Sequence, residues 1–153
     1  MPLLASDRRS GRENLKWHID DPRPDATAQN TRVGLVPLIL LSDIGPDEGA
    51  TLVAADSVRM IADALRTATE PVDLDARDLC MPIYRRCKDV IEATGEAGDV
   101  YLTHPYALHT AAPQSQRRVR VLANPIMYLK EPLDLSKTSG LSPLERACLR
   151  EQK

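Results

Sequence analysis

The chain has 153 residues, enough for one domain that buries its own core. An apolar share of 42% and a charged share of 27% describe a water-soluble globular chain. The net charge of −2 supplies no basic field for nucleic acid or an anionic membrane, and no apolar run nears the roughly 20 residues that span a bilayer.

Residues 1–15 are polar without a clear period and read as an irregular lead-in, with no apolar stretch of the kind a secretion signal carries. From Leu15 to Asp20 apolar and polar residues alternate, so His18 and Asp20 are expected on one face of a strand end. Asp21 to Asn30 holds two prolines among turn formers and reads as a loop. Val33 to Ser42 is a dense apolar run that suits a buried strand, with Pro37 expected at an edge or bulge. A turn over Gly45 to Gly49 leads into a short strand, Ala50 to Ala54.

Asp56 or Ser57 can cap a helix in which Val58, Ile61, Ala62 and Leu65 recur at helical spacing. Pro71 ends it, and a second helix is expected from Ala76 to Ala93. A strand begins at Val100 and is interrupted by Pro105 on the way to His109. Arg118 to Asn124 alternates clearly and is the firmest strand expectation. Ser142-Pro-Leu-Glu145 matches a capping box for a last short helix. Phe is absent and Pro numbers 12, which favours strands and turns over long helices. The sum fits a mainly β jelly-roll or barrel with a helical excursion. Cys80, Cys87 and Cys148 have no framework spacing and read as reduced thiols of a cytoplasmic protein.

The only three histidines are His18, His104 and His109. In His18-Ile-Asp20 the intervening residue matters, because strand period two puts imidazole and carboxylate on the same side. A third imidazole from elsewhere completes a facial set that leaves three adjacent positions open. That suits ferrous iron binding a bidentate cosubstrate and oxygen. The pair alone is a weak signal, since a surface His beside an Asp is common. His104 and His109 are five apart, an odd separation that sends them to opposite faces of an ideal strand, so one is expected at the metal and the other in a structural role. Arg118 and Arg120 share a face and could grip a carboxylate with two parallel hydrogen bonds; a solvated basic cluster with Arg117 is the plain alternative.

Taken in order, Trp17-His-Ile-Asp20, the strand running to Ile44, the segment DEGATLVAADSVR ending at Arg59, GDVYLTHPYALHTAAP ending at Pro113 and RRVRVLANP ending at Pro125 resemble the phytanoyl-CoA dioxygenase family of Fe(II)/2-oxoglutarate oxygenases. The resemblance spans about residues 16–130. It implies a double-stranded β-helix, a jelly-roll or cupin-like barrel, with a helical insert at about 56–93 and a C-terminal tail from 131. It implies His109 as the distal ligand, joining His18 and Asp20 on Fe(II), and Arg120, eleven residues on, as the anchor of 2-oxoglutarate, with Arg118 as the fallback. Oxygen would be the second cosubstrate and a small organic molecule the substrate, and retention of Asp20 favours hydroxylation over halogenation.

Three departures stand out. Ala111 replaces a serine that helps hold the cosubstrate in some relatives, and Asp56-Ser57-Val58 replaces the family's Gly-Ser-His turn. Only seventeen residues precede His18, where the family carries further barrel strands; this implies a fragment or a shortened member with an incomplete barrel. A degenerate binding module and a cupin-like metal enzyme that does not use 2-oxoglutarate are the rival expectations.

Overall fold

The computed structural model describes residues 11–21, 23–116 and 118–149; the first ten residues of the lead-in and Arg117 of the basic cluster lie outside these. Seven strands and three helices follow in the order β1 (Val33–Leu40), β2 (Thr51–Ala54), α1 (Ser57–Thr67), α2 (Arg77–Arg86), β3 (Val90–Ala93), β4 (Val100–Thr103), β5 (Leu108–Ala111), β6 (Leu122–Ala123), β7 (Met127–Tyr128) and α3 (Pro143–Ala147). All strand pairs are antiparallel. One sheet runs β4-β1-β6 with β7 also on β1, and the other runs β3-β2-β5. The mainly β expectation holds, but the two sheets stay separate and no closed barrel forms among the described residues. No helix among them is long and apolar enough to cross a membrane.

The β3-β2-β5 sheet has two unlike faces. Leu52, Ala54 and Leu108 are buried in the main core with Trp17 and Ile19 and with the apolar stripe of α1, Val58, Ile61, Ala62 and Leu65. Trp17 stacks on Tyr84 of α2 with ring centroids 4.2 Å apart. Cross-strand pairing places Val53 beside both Ile91 and His109, and Thr51 beside both Ala93 and Ala111. Because side chains alternate along a strand, these residues share the opposite face of the sheet.

Pro37 lies inside the central strand β1, not at an edge. Leu40 exchanges backbone bonds with the β4 side, so by alternation residue 37 points the other way. There it meets the gap between β7, paired at Val33 and Leu35, and β6, paired at Ile39 and Leu40. The missing N–H therefore costs no ladder bond.

Three expectations are corrected. The second helix stops at Arg86, because β-branched Val90 and Ile91 pair with Ala54 and Val53 of β2. The alternating run from Arg118 to Asn124 yields only Leu122–Ala123, because β1 ends at Leu40 and leaves residues 118–121 no strand to pair with; beyond β1 the Val121 carbonyl accepts from the Leu41 and Ser42 N–H groups, and the Val121 N–H donates to the Ser42 hydroxyl. Neither Asp56 nor Ser57 caps α1 through its side chain. Asp56 accepts from the Lys88 N–H instead, and the Ser57 hydroxyl donates to the Ala54 carbonyl while accepting from the Leu108 N–H. The C-terminal tail reaches the core: Leu133 and Leu135 are buried and donate backbone bonds to Thr31 and Ala28.

The capping box at α3 forms as expected, with Ser142 and Glu145 bonding reciprocally. His104 fastens this helix. Its Nδ1 accepts from the Tyr106 N–H, and its Nε2 lies 3.3 Å from the Leu144 carbonyl and so donates to it. Burial pushes its pKa from 6.5 down to about 4. Unfolded His104 therefore takes up a proton that the folded ring refuses across that window. Stability in denaturant titrations should fall by up to about 3 kcal/mol on acidification from about pH 6.5 to 4, and a His104→Asn variant should lose that slope. An unchanged slope in the variant would contradict this role.

Candidate metal centre

The segment from Trp17 to Asp20 runs along the free edge of β5 and touches it through one bridge. The His18 N–H donates to the His109 carbonyl at 3.1 Å and the His109 N–H returns to the His18 carbonyl at 2.9 Å. Two residues that exchange both bonds sit directly opposite and project to the same face. The imidazole centroids are 4.4 Å apart. Burial follows period two: Trp17 and Ile19 are buried, while His18 and Asp20 are half-buried. The expected alternation is present although the segment is no regular strand.

Both histidines are held the same way. Nδ1 of His18 lies 2.9 Å from the Lys16 carbonyl, and Nδ1 of His109 lies 3.0 Å from the Ala107 carbonyl. A carbonyl can only accept, so each Nδ1 carries the hydrogen and each Nε2 presents its lone pair. Backbone support of this kind fixes the tautomer that ligates metals. Asp20 Oδ2 lies 3.3 Å from His109 Nε2. One ligand atom from each of His18, Asp20 and His109 falls within 4.8 Å of the others.

Burial lowers the pKa of His109, opposed by the nearby Asp20 carboxylate. A neutral imidazole aims a lone pair at that carboxylate, and two electron-rich atoms facing each other call for a cation between them. Two imidazoles and one carboxylate are the donors of a divalent first-row metal, and the cysteines lie buried elsewhere. The residues present therefore fit a metal ion.

His104 is not part of this cluster; its ring is spent on Tyr106 and α3. Trp17 and Tyr106 are core residues, their polar tips bonded to the Arg12 carbonyl and the Thr31 hydroxyl. The two arginines part company. Arg118 is 66% exposed and pairs at 2.8 Å with the buried carboxylate of Glu48. The Gly45 N–H and Arg118 hold that carboxyl below its usual range. Arg120 is half-buried, and among the described residues no carboxylate or carbonyl engages it. Its Nε lies over Gly49, 3.3 Å from where a Cβ would stand, and Gly49 has φ +81. A side chain at 49 would strain the backbone and crowd the guanidinium.

Thr51 is a residue that sequence reasoning missed. It stands directly across from Ala111 on the face that carries His109, which only the β2–β5 register reveals.

The family model for phytanoyl-CoA dioxygenase (PhyH) matches residues 2–121. No curated protein and no solved structure matches the chain.

Asp20→Ala should weaken Fe(II) affinity by more than about a hundredfold in anaerobic equilibrium dialysis, because loss of outer-sphere support alone costs up to that much. Unchanged affinity in a folded variant would exclude Asp20 from the ligand set.

Proposed function

The chain belongs to the phytanoyl-CoA dioxygenase family, and from that premise we propose that it is an Fe(II)- and 2-oxoglutarate-dependent oxygenase that hydroxylates a small organic molecule. The convergence of His18, Asp20 and His109 carries the reading. In the balanced reaction one oxygen atom of O2 enters a substrate C–H bond as hydroxyl. The other ends in succinate, and 2-oxoglutarate loses CO2. Bound by His18, Asp20 and His109, ferrous iron would supply the redox chemistry with oxygen.

The chain's own residues divide the remaining work. His18 and His109 are held as Nε2 donors by their backbone partners. Asp20 supplies the negative charge that offsets part of the metal's. Arg120 grips the far carboxylate of 2-oxoglutarate; that no carboxylate among the described residues engages it supports this assignment over Arg118, which already serves Glu48. Gly49 leaves the space into which the guanidinium folds. Thr51 offers a hydroxyl across from Ala111, where some relatives use a serine.

Turnover of labelled 2-oxoglutarate with Fe(II) and ascorbate tests the activity, and absence of any cosubstrate-dependent CO2 release would sink it. Arg120→Ala should raise the Kd for 2-oxoglutarate at least about tenfold, the loss of a charge-assisted pair. Arg118→Ala should leave that Kd nearly unchanged and instead destabilise the fold, because buried Glu48 loses its ion partner. The opposite pattern would exchange the two roles. Unaltered cosubstrate binding in both variants would favour a cupin-like enzyme that does not use 2-oxoglutarate. Gly49→Val, which strains the turn and displaces Arg120, should weaken 2-oxoglutarate binding while leaving iron affinity intact.

A further inference from the structure

A cleft of about 310 Å³ opens between the two sheets. Its lining includes Val53 and Ile91, which lie in one cross-strand row with the candidate ligand His109. Adjacent residues in such a row have Cβ atoms about 5 Å apart, so the cleft starts one side chain from the ligand. Ile91 and Leu102, 50% and 71% exposed, stand at its mouth. Arg120 lies near Gly49 and Gln114, at the opposite end of β2 from the cleft residues Ala55 and Val58. The side suited to the cosubstrate and the cleft thus flank the ligand row from different directions.

Among the described residues the lining has no Lys, Arg, Asp or Glu. Among those residues its side-chain hydrogen-bond donors are Tyr101, Thr103 and His104. Each is turned to the backbone: Tyr101 to the Thr94 carbonyl, Thr103 to the Val36 carbonyl and His104 to the Leu144 carbonyl. An anionic group seated in the cleft would give up water and meet no free side-chain donor among these residues, which is unfavourable. A hydrocarbon group loses nothing of the kind and gains by leaving water.

We propose that this cleft takes an uncharged apolar group of the substrate, so that the substrate is a small neutral molecule and not a carboxylate, a phosphate or a large charged thioester seated there. The volume lies at the small end of ligand sites. The inference rests on the oxygenase reading for the position of the metal.

Cyclohexylmethanol and cyclohexanecarboxylate share a carbon skeleton and differ in charge, and they make the test. Their binding is followed by NMR on the chain loaded anaerobically with Fe(II) or with diamagnetic Zn(II), with iron affinity measured separately. The alcohol should bind saturably, with its proton lines broadened by Fe(II) and not by Zn(II), and the carboxylate should bind at least tenfold more weakly. Ile91→Trp, at the half-exposed mouth, should cut alcohol binding at least tenfold with iron affinity unchanged. Equal binding of both probes, tighter binding of the carboxylate, indifference to Ile91→Trp, or a bound alcohol that iron does not broaden would each overturn the proposal. Failure of iron itself to bind would sink the oxygenase reading first, and the substrate assignment with it.

Discussion

The site depends on two backbone hydrogen bonds, those exchanged by His18 and His109. They join a segment with no regular structure to the edge of β5, and they set which way its side chains point. A slip of one residue would turn His18 and Asp20 into the core and Trp17 and Ile19 out to water. That slip is opposed by packing: Trp17 is stacked on Tyr84 and Ile19 is fully enclosed. Burying side chains of this size contributes roughly 2–3 kcal/mol each. The apolar residues that separate the polar ones therefore hold the ligands in register.

The same economy runs through the β3-β2-β5 sheet. One face, with Leu52, Ala54 and Leu108, closes the core against α1 and α2. The other, with Thr51, Val53, His109 and Ala111, carries the candidate ligand His109. Charge is divided as cleanly between two neighbouring arginines. Arg118 compensates a buried carboxylate, which would otherwise be costly to keep ionised, and Arg120 lays its guanidinium over a glycine. Polar groups around the inter-sheet cleft are tied to backbone carbonyls, so selectivity there comes from what the lining withholds.

Much of this was legible in the sequence, and the limits have physical causes. The alternation around His18, the helical stripe from Val58 to Leu65 and the capping box at Ser142 are local patterns, and local patterns survive folding. Val90–Ala93 was misread as helix, because only its pairing with β2 makes it a strand. Arg118–Val121 alternates as well as any strand, yet no neighbour extends far enough to pair with it. The choice between His104 and His109 was open from spacing alone and came from the family pattern; the structure shows why the two differ, with one ring bound to α3 and the other facing Asp20. Thr51 was invisible because its relevance is a cross-strand register. The closed barrel suggested by the resemblance is met only as two separate antiparallel sheets among the described residues.

The central claim is that His18, Asp20 and His109 form one iron site able to seat 2-oxoglutarate. Anaerobic titration of the chain with Fe(II) and then 2-oxoglutarate tests it most directly, through the visible charge-transfer absorption of an iron-chelated 2-oxo acid. The account predicts a saturable band at one iron per chain that disappears in His109→Ala. Absence of the band in the folded native chain, or its persistence without His109, would contradict it.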